Sequence, residues 1–199
     1  MKKLLMMLAF ASFAVAGMAQ NNESEVPELK HSVTTNSFWS NWFIQANLSG
    51  AAFYGNQEQG LDYSKSPLEG FRNNLGFSVA IGKWFTPGIG LRTKFNGVWG
   101  RSVVSEDRET NASKYWTLNE QVLFNLSNML CGYSETRCWN FIPYIGAGFG
   151  RNMSYNKYAM GIGAGILNTF RLSNKLAVNV DLSMGLYEPD FDGYAQDGP

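Results

Sequence analysis

Apolar and polar residues alternate with a period of two in seven stretches of this chain: 42–50, 75–82, 89–99, 116–126, 139–151, 158–172 and 176–187. In the last and clearest stretch, every second residue is apolar: Leu176, Val178, Val180, Leu182, Met184 and Leu186. Successive side chains of a strand point to opposite faces, so these apolar residues share one face. Each stretch is about as long as a strand that crosses an outer membrane. The pattern therefore predicts an all-β fold, an antiparallel transmembrane β-barrel.

The connections between the stretches predict the orientation of this barrel. Long polar connections at 55–73 and 101–114 follow the first and third strands, whereas tight turns follow the second and sixth. Outer-membrane barrels have short periplasmic turns and longer external loops, so the first strand is expected to run outward. The seventh strand then also runs outward and cannot pair antiparallel with the first. Because such barrels have an even number of strands, we expect seven of eight strands in this chain, with the eighth missing.

The N-terminal residues have the composition of an export signal. Lys2 and Lys3 precede an apolar run at 4–15, and Gly17 and Ala19 are the small residues that a signal peptidase needs. A membrane-anchoring helix, the alternative, needs about 20 apolar residues. We therefore expect a cleaved signal peptide at 1–19 and a flexible periplasmic arm at 20–38. The outer-membrane β-barrel, incomplete without its eighth strand, is expected at 39–199.

The composition narrows the classes of function. The formal net charge is +0, aromatic residues make up 15% of the chain, and the mean hydropathy is −0.20. The charge provides no basic surface for nucleic acid. The single histidine, His31, lies in the arm, outside every predicted strand. We therefore expect no enzyme activity, no cofactor and no metal site.

Charged residues at inward-facing positions of the strands predict a polar network inside the barrel. Arg92, Lys94 and Asp181 all fall on the face opposite the apolar one. A buried charge must be paired or solvated, and the lumen of an eight-stranded barrel is just wide enough for side chains to fill. The network is expected to consist of Gln45, Asn47, Arg92, Lys94, Gln121, Asn179 and Asp181. Two interpretations stay open: a polar plug that holds the barrel together, or a narrow ion path gated by the network.

Most inward-facing positions of the fifth and sixth strands are glycines: Gly146, Gly148 and Gly150, then Gly161, Gly163 and Gly165. We expect them to make room for long side chains that reach across from the opposite wall.

One charged residue departs from the alternation, because Glu120 falls on the apolar face of its strand. We place it near a headgroup boundary, where a charge costs little.

Aromatic residues gather near the ends of the predicted strands. The tryptophans expected in the aromatic girdle form two belts: Trp42, Trp84 and Trp139, together with Phe43, at the periplasmic strand ends, and Trp99 and Trp116 near the outer ends. Amphipathic rings at the level of the lipid headgroups are typical of membrane barrels. A stacking platform for nucleic acid or sugar is the alternative, and it would need an open lumen.

Two cysteines, Cys131 and Cys138, lie in the connection between the fourth and fifth strands. An exported chain enters an oxidising compartment, so one hypothesis is a disulfide that closes a short loop. Two unpaired thiols and a metal pair are the alternatives.

Four segments resemble the N-terminal barrel of OmpA-family outer membrane proteins: Asn41-Trp-Phe-Ile-Gln45, Gly82-Lys-Trp-Phe-Thr-Pro-Gly-Ile-Gly-Leu-Arg92, Val122-Leu-Phe-Asn-Leu-Ser-Asn128 and Phe141-Ile-Pro-Tyr-Ile-Gly-Ala-Gly148. The resemblance covers about residues 38–187. It implies an eight-stranded antiparallel barrel that is usually followed by a periplasmic domain binding peptidoglycan. We expect this chain to be a fragment without the last strand and without that domain. Peptidoglycan would then be a partner only through the missing domain.

The expected function is structural: an anchor in the bacterial outer membrane with surface-exposed loops and a plugged polar lumen. A small diffusion porin and a surface adhesin acting through the loops at 55–73 and 101–114 are alternatives with the same fold. A soluble lipocalin-like binder would have its faces reversed, with apolar residues inward. The expected partner is outer-membrane lipid, and a homo- or hetero-oligomer stays open.

Overall fold

The structure, a computed structural model, describes residues 14–18, 38–52, 74–103, 110–134, 136–173, 175–188 and 191; the side chains of 14–18 and 98–113 lie outside this description. Its strands are β1 (Ala14–Met18), β2 (Trp42–Ala51), β3 (Asn74–Trp84), β4 (Ile89–Val103), β5 (Thr110–Phe124), β6 (Trp139–Asn152), β7 (Lys157–Arg171) and β8 (Leu176–Tyr187). One short helix, α1 (Leu126–Cys131), lies between β5 and β6. The all-β fold predicted from the alternation is confirmed.

The seven long strands, β2 to β8, form one curled sheet in which each strand pairs antiparallel with the next in the chain. The longest ladder joins β4 to β5, from Ile89 opposite Phe124 to Val103 opposite Thr110. Pairing between chain neighbours is what short connections favour. All seven strands correspond to the stretches identified from the period of two.

The first strand, β1, closes this sheet into a barrel, because it pairs antiparallel with both β2 and β8. Its five residues cover only part of the seam, the gap between the β2 and β8 edges. Ala14 lies opposite Asn47 on one side and opposite Asn179 on the other. Beyond that level, residues 48–51 of β2 and 180–187 of β8 have no partner strand across the seam within the described residues.

The closing strand consists of residues that the sequence assigns to the signal peptide. A short apolar segment suits both roles, because it fits an export signal and also supplies backbone groups to two open edges. Cleavage after Ala19 would remove β1 and leave the seam open. Cleavage itself remains a prediction.

The connections define two ends of the barrel. The turn end holds the connections at 85–88, 125–138 and 172–175, and the loop end holds the opposite connections, including the four-residue turn at 153–156. The loop expected at 101–114 is shorter than predicted, because Arg101–Val103 and Thr110–Ala112 still pair as strands. The connection at 55–73 and the arm at 20–37 lie outside the described residues.

The outer face of the sheet is apolar and the inner face is polar. Along β3, exposed Leu75, Phe77, Val79 and Ile81 alternate with buried residues that include Ser78 and Ala80. A soluble binder would show the reverse, so the lipocalin-like alternative is wrong. Within the described residues, no helix has both the length and the apolar character needed to cross a bilayer.

Candidate functional site

Three charged side chains meet in the middle of the lumen. Arg92 and Asp181 are 0% exposed and Lys94 is 2% exposed. Lys94 Nζ lies 2.9 Å from Asp181 Oδ2, and one guanidinium nitrogen of Arg92 lies 3.2 Å from the same oxygen. Because β4 and β8 lie on opposite walls of the barrel, these ion pairs cross the lumen. We call these three residues the ion cluster.

Neutral side chains from three other strands complete the bonding of the ion cluster. Arg92 donates to Oε1 of Gln121 on β5 at 2.8 Å and to Oε1 of Gln45 on β2 at 2.9 Å. The Tyr144 hydroxyl on β6 donates to Oδ1 of Asp181, and its ring centroid lies 4.6 Å from the guanidinium carbon. Side chains from five strands are thus joined in one layer across the lumen.

Tyr144 was absent from the predicted network although the sequence contains the signal for it. It shares the inward parity of Gly146 and Gly148 on β6. Its phenol suits the position because the ring covers the guanidinium while the hydroxyl reaches the carboxylate.

The remaining predicted network residues, Asn47 and Asn179, lie at the seam. Both are buried, and Asn47 donates through Nδ2 to Ser78 Oγ at 3.2 Å. Neither amide atom of Asn179 has a hydrogen-bond partner among the described residues, and the same holds for Asn47 Oδ1 and for the hydroxyl of Ser49. The structure therefore places all seven predicted residues inside the barrel but joins only five of them in one layer.

Between the ion cluster and the turn end lies an apolar floor that the sequence analysis did not predict. It consists of Phe43, Leu123, Ile142, Tyr144 and Leu167, with Trp84 packed against it. Phe43 and Trp84 lie 6.0 Å apart between ring centroids. Both residues have inward parity, so neither belongs to a lipid-facing girdle.

A cavity of about 340 Å³ opens beside this floor at the turn end. Its lining combines the aromatic side chains of Trp84 and Phe43 with the amides of Gln45 and Asn179. Gln45 is also bonded to Arg92, so the ion cluster forms the inner limit of this cavity.

Most of the inward glycines clear space for the strand beside them rather than for the opposite wall. A Cβ on Gly148 would lie 2.1 Å from the carbonyl oxygen of Leu118 and 2.5 Å from Asn119 Oδ1, both on the adjacent strand. A Cβ on Gly165 would lie 2.5 Å from the ring of Tyr144, its register partner. At five of the six glycines the closest approach is therefore to a paired strand, not to a side chain from across the lumen. At Gly150 the nearest atom is 2.9 Å away in the ring of Phe191, which follows β8 and lies on no strand paired with β6.

The other candidate girdle residues are distributed along the outer face. Trp116 stacks on Phe95 with 5.9 Å between ring centroids and meets Phe149 edge-on at 5.8 Å. Trp139 is exposed and donates to Asn168 Oδ1 at 3.2 Å, and Trp42 donates to the carbonyl of Phe38. The side chain of Trp99 lies outside the described residues.

Glu120 lies on the outer face, as its parity predicts, and accepts a 2.6 Å hydrogen bond from the Thr93 hydroxyl. It is four residues from the end of β5, and its register partner Ala147 is small. The Thr93 bond is a local partner that the sequence pattern did not reveal. It satisfies one lone pair of a carboxylate on an otherwise apolar surface.

The turn end is organised by α1, which the sequence analysis missed. Asn125 caps the helix by accepting the backbone N–H of Asn128 at 3.1 Å, an arrangement that an Asn at this position favours. Asn128 in turn donates to the carbonyl of Pro87 in the β3–β4 turn at 2.8 Å. Two of the segments that carry the family resemblance are therefore in direct contact.

The expected disulfide is not formed, and Cys131 and Cys138 are both exposed, unpaired thiols. Arg137 stabilises this loop instead, because it donates to Asn128 Oδ1 and to the carbonyl of Gly132, both at 2.8 Å. A metal pair also lacks support, since no group of three metal-ligating side chains occurs within the described residues.

An apolar outer face, a polar filled interior and antiparallel strands in chain order together define the class of membrane β-barrels. Outer membrane protein 41 of Porphyromonas gingivalis is 21% identical to this chain over 187 residues, which is 87% of this chain and 46% of that protein. Outer membrane protein 40 of the same organism is 26% identical over 133 residues, 57% of this chain and 35% of that protein.

These relatives support an outer-membrane β-barrel, and the chain spans less than half the length of either one. No protein-family model matches the chain, and no solved structure matches it. Membership of the OmpA family therefore remains a prediction based on the four segments.

Proposed function

We propose that this chain is an outer-membrane anchor whose lumen is closed by the ion cluster. The observation that carries the proposal is the set of contacts made by Arg92. Its guanidinium is completely buried and contacts Gln45, Gln121 and Asp181, which belong to three different strands. A layer bonded in this way leaves no water-filled path at its level, and small barrels are usually filled in the same manner.

The anchoring role follows from the contrast between the two faces of the sheet. Exposed apolar side chains surround the barrel, so lipid is the solvent that suits the outer face. The chain therefore acts by being held in the membrane rather than by transporting a solute or catalysing a reaction.

Conductance in planar lipid bilayers tests the plugged lumen. The wild-type chain should insert without producing single-channel steps, whereas Arg92→Ala should produce small steps because it removes the contacts to three strands at once. Lys83→Ala is the matched control, since Lys83 lies on the outward parity at the turn end. Regular channel steps from the wild-type chain would refute the plug and favour the porin alternative.

A gated pore is the second candidate, and one observation favours it. The ion cluster is a single layer between the cavity of about 340 Å³ at the turn end and a cavity of about 40 Å³ on its other side. Rearrangement of this one layer would connect the two spaces. The adhesin alternative depends on the loops at 55–73 and 101–114, and residues 55–73 and 104–109 lie outside the described part of the chain.

Closure of the seam by a longer, amphipathic strand is a further part of this proposal. The unpartnered atoms of Asn47, Ser49 and Asn179 line the seam at and beyond the level that Ala14 reaches. The sequence of β1, Ala-Val-Ala-Gly-Met, contains no hydroxyl, amide or charged side chain. A strand with polar inward residues would satisfy these groups, as buried polar groups require.

A further inference from the structure

The cavity at the turn end is lined by two kinds of side chain. Aromatic and aliphatic residues of the apolar floor form one part of the lining, and amide side chains form another. The volume of about 340 Å³ lies at the lower end of the roughly 300–1,000 Å³ that is typical of small-molecule sites. The cavity therefore suits a molecule of one or two rings.

Asn179 is the residue in this lining that points to a ligand. It is 1% exposed, yet neither Nδ2 nor Oδ1 has a hydrogen-bond partner among the described residues. Buried polar groups are nearly always bonded, so this amide needs a partner, and a molecule in the cavity can reach it. Asn47 and Ser49 also have unpaired atoms, but both residues lie outside the lining and would still need a polar closing strand.

The two unpaired atoms of Asn179 select the kind of group that can bind there. The Nδ2 atom donates hydrogen bonds and the Oδ1 atom accepts them. A carboxylate only accepts and an ammonium group only donates, so neither would satisfy both atoms. A hydroxyl group donates and accepts. The amide of Asn179 therefore favours a ligand that carries hydroxyl groups.

Two other amides in the lining have a fixed orientation. Because arginine only donates, Gln45 accepts from Arg92 through Oε1, and its NH₂ group is the end that can donate to a ligand. Asn140 accepts from Asn125 through Oδ1 at 3.3 Å, which again leaves the NH₂ group as the donating end. The cavity thus presents amide donors to the oxygen atoms of a ligand.

The charges in the lining favour a neutral ligand. The described residues that line the cavity include Arg137 and Arg171 but no carboxylate, so a cationic ligand would find no counter-charge. Both arginines are engaged near their own positions in the chain. Arg137 donates to Asn128 Oδ1 and to the carbonyl of Gly132, and Arg171 donates to the carbonyl of Ser173.

Aromatic rings in the lining add an apolar surface to these polar groups. Trp84 and Phe43 both line the cavity, with 6.0 Å between their ring centroids. Small-molecule sites typically combine such rings with a few placed polar groups. A saccharide matches both features, because its ring has apolar C–H faces and its edge carries hydroxyl groups. We propose that the cavity binds a neutral saccharide of one or two rings, whose hydroxyl groups pair with Asn179.

Tryptophan fluorescence of the full chain tests this proposal, because Trp42 and Trp84 line the cavity. The chain is kept in lauryldimethylamine oxide, a detergent without a sugar head group, and is titrated with maltose, cellobiose and N,N′-diacetylchitobiose. We expect a saturable change with at least one disaccharide. Sorbitol, which has hydroxyl groups but no ring, should give none. No saturable response to any disaccharide, or an equal response to sorbitol, would overturn the proposal.

Two variants locate the binding. Asn179→Ala removes both amide atoms and should weaken the binding of the disaccharide roughly tenfold. Asn47→Ala is the matched control, because Asn47 is also a buried asparagine at the seam but lies outside the lining, and it should keep the wild-type affinity. Unchanged binding in Asn179→Ala, or equal weakening in both variants, would overturn the proposal.

Crystals of the wild-type chain soaked in the disaccharide that binds provide a measurement that does not depend on the folding of a variant. Electron density for a sugar ring beside Asn179 is the expected result. An empty cavity at a saturating concentration would overturn the proposal. The cavity lies on the turn-end side of the ion cluster, so this outcome is independent of whether the lumen proves to be plugged or conducting.

Discussion

At Asp181, a single carboxylate faces two cationic side chains and a tyrosine hydroxyl, and it is completely buried. These three partners lie on β4 and β6, which are distant from Asp181 in the sequence. Lys94, for example, precedes it by 87 positions. The parity of the strands predicts that these residues face inward, but it contains no information on which of them meet.

Asp181→Asn tests how strongly the ion cluster stabilises the barrel. The substitution preserves the shape of the side chain but leaves Arg92 and Lys94 buried without a counter-charge. We expect it to lower the free energy of unfolding by about 3–5 kcal/mol, measured by urea titration in detergent. Glu188→Gln, at an exposed carboxylate beyond β8, is the control and should change stability little. A small effect of Asp181→Asn would mean that the cluster is hydrated.

At the scale of the elements, the glycines of β6 and β7 determine how closely neighbouring strands approach. Their inward parity is evident from the sequence, but the atoms that they approach are not. Most of the side chains and carbonyls that they clear belong to the paired strands, and Gly150 also clears the ring of Phe191, which follows β8. The curvature of the sheet decides this, and curvature is not encoded in the alternation of any single strand.

Gly148→Ala tests this close approach. The added methyl group would meet the carbonyl of Leu118 and the side chain of Asn119, and a backbone carbonyl cannot move without disturbing the ladder. We expect a loss of about 1–3 kcal/mol in urea titration. Gly50→Ala is the matched control, because the nearest atom to its new methyl group is 4.0 Å away. Equal stability of the two variants would show that the strands separate without cost.

The helix α1 illustrates a second limit at this scale. Six residues are too few to show a helical period, and the segment interrupts a chain dominated by alternation. The Asn125 cap was a local signal that could have indicated it. Its contact with the β3–β4 turn through Asn128 could not be predicted, because the two segments are 41 positions apart.

At the scale of the whole molecule, one strand must close the barrel between β2 and β8. The structure closes the barrel with Ala14–Met18, whereas the sequence predicts that these residues are removed on export. A strand of five residues is also shorter than the roughly 9–11 residues that cross a bilayer. These considerations favour a mature barrel in which another strand occupies the seam.

The intact mass of the protein extracted from outer membranes tests this prediction. We expect a mature N-terminus at Gln20, because Gly17 and Ala19 match the small residues that a signal peptidase requires. Ala19→Leu, which removes the small residue at the −1 position, should yield the uncleaved mass and serves as the control. A folded wild-type chain that retains residues 14–18 would instead establish β1 as the closing strand.

The sequence by itself determined the class of fold, the seven long strands and the face on which most of their side chains lie. These properties follow from the period of two, which is local to each strand. The tertiary structure alone decided that Arg92 meets Gln45, Gln121 and Asp181, and that Phe43 and Trp84 belong to an apolar floor. It also decided which glycines adjoin which strands. These contacts depend on the register and curvature of a closed sheet, and those are properties of all the strands together.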